Sequence, residues 1–133
     1  MKEIIIDAED SVLGRLAAYA AKKALLGSKI IIVNCEKVIL TGDKEMTKKR
    51  YLTKRWRGGS AQKGPYYSKN PAFIVKRTIR GMLPYKKERG VSAFENVKCF
   101  NGIPSDYSSS EKETLKRQLP TKYISLAELE QLI

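Results

Sequence analysis

The sequence contains no histidine. That removes the side chain that titrates nearest neutral pH, the commonest metal ligand, and the base of every Ser-His or Cys-His catalytic arrangement. There are only two cysteines, Cys35 and Cys99, too distant in the chain to read as a disulfide framework and too few for a zinc quartet. Both follow or sit in apolar runs and are expected as small buried hydrophobes rather than reactive thiols. Long apolar runs are missing as well. Runs such as Ile4–Ile6, Leu16–Ala21 and Ile30–Val33 fall far short of the roughly 18 residues that span a bilayer. Met1-Lys2-Glu3 does not open a signal peptide, so a cytoplasmic protein with no membrane association is expected. Neither G-x-x-x-x-G-K-[ST] nor G-x-G-x-x-G occurs, which weakens a nucleotide-binding enzyme. No cofactor, no metal and no small-molecule substrate is expected.

The middle of the chain also has very little acid. The protein carries 26 basic and 14 acidic residues, net +12. Residues 1–43 hold six of each, and residues 91–133 hold five basic and six acidic. Residues 44–90 hold 15 basic and two acidic, so the whole excess lies in 47 consecutive positions. A uniform solubilising coat of lysine would not be distributed in this way. A concentrated basic segment points to a polyanion, with nucleic acid first. An anionic membrane would call for an amphipathic helix with a bulky apolar face, which the segment does not show.

With 133 residues the chain is long enough for one ordinary domain with a real core. Glu3–Ile6 reads as a strand. From Ser11 the apolar residues Leu13, Leu16, Ala17, Ala20 and Ala24 recur at steps of three and four, the mark of a helix. Gly14 is expected to let that helix lie close on its neighbour, and Gly27 to end it. Lys29–Val33 is an unbroken β-branched run, suited to a strand buried on both faces of a parallel sheet, so strand, helix and strand make a βαβ unit. Val38–Leu40 and Val97–Phe100 are further short apolar runs. Asp43 is placed to cap a basic helix over 44–54 whose Met46, Tyr51 and Leu52 make no apolar stripe. Arg55–Asn70 reads as a long glycine-containing connection, expected to be mobile without a ligand. Pro71 suits a helix start, with Ala72, Val75, Ile79 and Met82 as its core stripe. Lys86–Asn96 is expected as a short helix or turn interrupted by Gly90. Ser105–Glu113 is polar and expected to be mobile, and Ser125-Leu126-Ala127-Glu128 is a capping box opening a last helix. The organisation expected is a single domain over residues 1–133, with a basic nucleic-acid-binding segment at 44–90 and a C-terminal arm at 105–133.

Two constellations could carry chemistry. Asp7, Glu9 and Asp10 follow the first strand, where α/β enzymes often keep acids. The simpler reading is that they cap the next helix. More specific is the acid-free mixture of cations, aromatics and glycine from Arg55 to Lys69. Cations neutralise phosphates, and aromatic and guanidinium planes stack on exposed bases. The candidate nucleic-acid-binding residues, for RNA or DNA, are Lys48, Lys49, Arg50 and Lys54, then Arg55, Trp56, Arg57, Lys63, Tyr66 and Lys69. Lys76, Arg77 and Arg80 of the next helix and Lys86, Lys87 and Arg89 beyond it complete the set.

Asp7-Ala8, Leu13-Gly14-Arg15-Leu16-Ala17, Val33-Asn34-Cys35-Glu36 and Thr41-Gly42 resemble the large-subunit ribosomal protein L-thirteen family. So do Arg80-Gly81-Met82-Leu83-Pro84, Arg89-Gly90 and Gly102-Ile103-Pro104. Gly64-Pro65-Tyr66 resembles the archaeal and eukaryotic branch, and the absence of a long basic C-terminal extension fits the archaeal type. Tyr67 stands where family members commonly carry a histidine. The resemblance implies a three-layer α/β/α fold with a small, mainly parallel four-stranded sheet. It also implies a structural, non-enzymatic role in the large subunit, contact with large-subunit ribosomal RNA and neighbouring ribosomal proteins, and early entry into assembly.

Overall fold

A computed structural model describes residues 3–56, 70–107, 112–114 and 122–132, with Arg55 and Trp56 described by their backbone alone. Strand β1 (Glu3–Asp7) leads into helix α1 (Leu13–Leu25) and strand β2 (Lys29–Val33). A short 3-10 turn at Cys35–Lys37 precedes β3 (Ile39–Thr41). Helices α2 (Lys44–Trp56), α3 (Pro71–Gly81) and α4 (Glu88–Glu95) follow, then β4 (Val97–Cys99). The chain ends with β5 (Glu113–Thr114), β6 (Tyr123–Ser125) and α5 (Leu126–Leu132).

The central sheet has the order β4-β2-β1-β5 and is parallel throughout. With the five helices of the described residues it forms a mixed α/β structure consistent with the three-layer α/β/α architecture expected from the sequence. The unbroken apolar runs are explained by burial on both faces. Ile4, Ile6, Ile30, Ile32 and Val97 belong to the large core with α1, α3, α4 and α5. The alternate residues Ile5, Ile31 and Val33 pack on the opposite face with Phe100 and Tyr107. The fourth strand is not the Val38–Leu40 run. That run forms β3, which pairs antiparallel with β6 in a separate two-stranded sheet. The fourth strand is the polar pair Glu113–Thr114, which carries no hydrophobic signal.

Helix α1 ends as its sequence requires. Gly27 has φ +95°, its N–H donates to the Ala24 carbonyl, and Ser28 N–H donates to that of Lys23. This is the paired closure that favours glycine just past a helix. Its start differs from expectation. Val12 occupies the capping position with no side-chain bond, so the acids after β1 do not cap it. Asp7 Oδ1 instead accepts from Glu9 N–H and from Asn34 Nδ2, at 3.1 and 2.9 Å, tying the ends of β1 and β2 together. Gly14 is exposed with nothing within 4 Å of where a Cβ would stand, so it does not serve close packing.

The C-terminal segment is part of the core rather than an appendage. Leu126 and Leu129 of α5 are fully buried among β-sheet and helix residues. Ser125 Oγ accepts from Glu128 N–H, as the capping box requires. Tyr19 on α1 donates to Glu113 on β5, fastening the edge strand across the helix. Of the stretch expected to be mobile, Ser105–Tyr107 is a 3-10 turn and Glu113 begins β5, while 108–111 lie outside the described residues. Cys35 and Cys99 behave as hydrophobes. Cys35 is buried and Cys99 half-buried on the same side of the sheet, both free thiols.

Candidate nucleic-acid interface

Helix α2 is opened by Asp43, whose Oδ1 accepts from Glu45 N–H at 3.3 Å and whose carbonyl accepts from Thr47 N–H at 3.0 Å. The helix has no apolar stripe, and its anchorage comes from two residues one turn apart. Thr47 and Tyr51 are buried, and Tyr51 joins the main core. The sequence hid this because one anchor is polar. With that single line of contact, the rest of the helix is left to charge. Lys44, Lys49 and Arg50 are exposed and Lys48 is half-buried. Lys54 Nζ lies 5.0 Å from the centre of the Tyr51 ring, a cation held over an aromatic face. Within α2 only Glu45 opposes these cations. Arg55 and Trp56 continue the helix instead of opening the connection. Arg57, Lys63, Tyr66 and Lys69 lie outside the described residues, as does the expectation of a mobile loop for residues 57–69.

Asn70 restarts the chain's regular structure. Its Oδ1 caps α3 by accepting from Ala72 N–H at 3.0 Å, and Pro71 fills the first helical position. The buried face of α3 is Pro71, Ile74, Val75 and Ile79. It is rotated from the expected stripe: Ala72 is only half-buried and Met82, just past the helix end, is 44 % exposed. The core contact passes instead to Leu83, which is buried in the following turn. The rotation leaves Phe73, Arg77 and Arg80 exposed at spacings of four and three, on one outward arc. Lys76 lies beside that arc with its Nζ 5.1 Å over the Phe94 ring, and the Arg80 guanidinium lies 5.2 Å over the Tyr85 ring. Among the described residues Arg80 does not pair with Glu88. Lys86, Lys87 and Arg89 are exposed beyond the turn.

Residues 70–91 thus present six cations against the one acid Glu88. They also expose Phe73, Met82, Tyr85 and Val91, half of the exposed large hydrophobics among the described residues. The candidate set from sequence contained the cations of this surface and missed Phe73 and Tyr85. Phe73 fell between the core positions of a stripe drawn one step out of phase. Tyr85 follows Pro84 in a turn, where neither periodicity could assign it a side.

Among the described residues nothing comparable gathers at the carboxyl ends of the strands. Asp7 is engaged with Asn34, and Glu36 Oε2 accepts from Gly102 N–H at 2.7 Å. These acids hold turns together. Among the described residues no cluster of three or more metal-ligating side chains occurs, and no helix is long and apolar enough to cross a membrane.

The profile of the family described as Ribosomal protein L13 matches residues 1–106. The large ribosomal subunit protein uL13 of Archaeoglobus fulgidus is 43% identical over 131 residues, covering 94% of this chain and 83% of the relative. That of Methanococcus maripaludis is 42% identical over 138 aligned residues, covering 98% and 96%. That of Methanocaldococcus jannaschii is 45% identical over 128 residues, covering 94% and 93%. All three relatives are archaeal and named as large-subunit ribosomal proteins, not as enzymes. With the family profile spanning most of its length and these identities running through nearly all of it, the chain belongs to the ribosomal protein L13 family.

Proposed function

We propose that this protein is a structural constituent of the large ribosomal subunit that binds large-subunit ribosomal RNA through residues 44–90 and supports early subunit assembly. The observation that carries the reading is the confinement of the positive excess to that segment, together with its exposure on α2, on the outer arc of α3 and around α4. Backbone phosphates supply a polyanion of the right charge density, and arginines such as Arg77 and Arg80 can take them bidentately. The α/β core acts as the rigid mount for these surfaces. Residues 1–133 work as one unit, because the last helix is built into the core that carries α3. Other large-subunit ribosomal proteins are the expected neighbours, and the cytoplasmic ribosome is the site of action.

Binding of the full chain to large-subunit ribosomal RNA and to duplex DNA, at the same salt concentration, tests the proposal. A clear preference for the ribosomal RNA is expected. Equal affinity for both would reduce the protein to a general polyanion binder.

A further inference from the structure

The turn joining α3 to α4 has features that phosphate binding alone does not require. Leu83 N–H donates to the Arg80 carbonyl, Tyr85 N–H to that of Leu83 and Lys87 N–H to that of Pro84, at 3.1, 2.8 and 2.9 Å. Leu83 pins the turn to the core. Gly90 of α4 sits beneath it so closely that a Cβ there would stand 1.9 Å from the Pro84 carbonyl oxygen. A turn fixed from both sides holds its exposed side chains in place. The side chain it holds out is an aromatic one: Tyr85 is 44 % exposed, with the Arg80 guanidinium over its ring. Beside it lies an open depression of about 240 Å³ lined by Leu83, Pro84, Tyr85, Lys86 and Lys87. That is smaller than the roughly 300 Å³ at which sites for whole drug-sized ligands begin.

We propose that this depression seats a single unpaired nucleobase of the bound RNA, stacked on Tyr85, with Lys86 and Lys87 flanking its phosphates. The inference rests on the RNA-binding function proposed above and adds a chemical distinction to it. Among the described side chains of helix α2 the one aromatic ring, Tyr51, is buried, so its exposed cations offer a surface for phosphates. The α3–α4 turn offers a ring, an apolar floor and two lysines, which is the composition that captures splayed-out bases. Arg80 is a positioning residue here: it occupies one side of the ring and restrains its rotamer. A protein neighbour could also cover an exposed tyrosine, but the six-to-one excess of cations over acid in residues 70–91 favours the polyanion.

Two RNA hairpins sharing one stem, one fully paired and one with a single bulged adenosine, test this with the full chain. The wild-type protein should bind the bulged hairpin about tenfold more tightly, the scale of one base–aromatic stack. Tyr85→Leu should abolish that preference while leaving affinity for the paired hairpin within about twofold. Tyr85→Phe, which keeps the ring, should retain the preference. Equal wild-type affinity for both hairpins, or a preference that survives in Tyr85→Leu, would overturn the base seat alone and assign the surface to a protein neighbour. Failure to bind either hairpin would overturn the RNA reading with it.

Discussion

Gly90 and Pro84 are in backbone contact: a Cβ added at Gly90 would lie 1.9 Å from the Pro84 carbonyl oxygen and 2.3 Å from its carbonyl carbon. Gly90 is buried inside α4, so the residue expected to interrupt a helix is what allows that helix to pack against the α3–α4 turn. Alanine at this position would have to displace backbone, and overpacking of that kind destabilises by about 1–3 kcal/mol. That outweighs the roughly 0.5–1 kcal/mol that alanine contributes over glycine within a helix. Gly14 makes the contrast, since it is helical with open space around it. Gly90→Ala should lower the unfolding free energy in urea, and Gly14→Ala should leave it unchanged or raise it by up to about 1 kcal/mol.

The C-terminal helix should be required for folding. Leu129 is fully buried in the main core, so Leu129→Ala is expected to destabilise by about 2–5 kcal/mol. Thermal unfolding should show this as a single shifted transition. A variant that melted like wild type would mean that α5 docks too weakly to count as part of the core.

Cys35 and Cys99 give the protein a specific pH dependence. A hydrogen bond that the protonated Cys35 thiol donates to Cys99, followed by burial, holds it well above its ordinary value of 9.0. Below about pH 7.5 the thiol is protonated in both folded and unfolded chains and contributes no pH dependence. Above it, the unfolded thiol ionises while the folded one keeps its proton. The unfolded state then binds fewer protons, and stability falls by up to about 1.4 kcal/mol per pH unit from this group. Cys35→Ala should flatten unfolding free energy against pH above about 9, relative to wild type. At neutral pH the native Cys35 should resist alkylation and react only when the protein is unfolded.

Arg80 separates folding from binding. Its guanidinium is exposed and rests on Tyr85 rather than on a carboxylate. Arg80→Ala should therefore move the melting of the free protein little, within about 0.5 kcal/mol. Affinity for the ribosomal RNA should fall by about 1.5–3 kcal/mol, the range for hydrogen bonds to charged groups. Arg80→Lys should also weaken binding, since an ammonium reproduces neither the bidentate fork nor the flat stack. Measuring melting and affinity on the same protein checks both halves.

The βαβ core was legible because its signals are local and redundant. β2 is an unbroken β-branched run, α1 repeats its apolar residues at helical spacing, and Gly27 closes it. The cap at Asp43 and the capping box at Ser125 were equally readable, being contacts over two to four residues. What escaped depends on partners distant in sequence. β5 is a strand only because Ile6 and Asp7 pair with Glu113 and Thr114. α2 is anchored by Thr47, which no hydrophobic count would select. The face of α3 was misjudged because Ile74 and Val75 are adjacent, so the stripe can be drawn through either, and tertiary contact with Leu83 decides. For the interface, charge was visible in composition, whereas Tyr85 needed the turn geometry and Gly90 beneath it.

The salt dependence of binding to large-subunit ribosomal RNA tests the central claim most directly. If about six to ten of the cations in residues 44–90 meet phosphates, affinity should fall by roughly three to five decades between about 50 and 200 mM salt. Lys48→Ala or Lys76→Ala should each reduce the logarithmic slope by about one. A slope near zero in the wild-type protein, or one unchanged by these substitutions, would contradict the account.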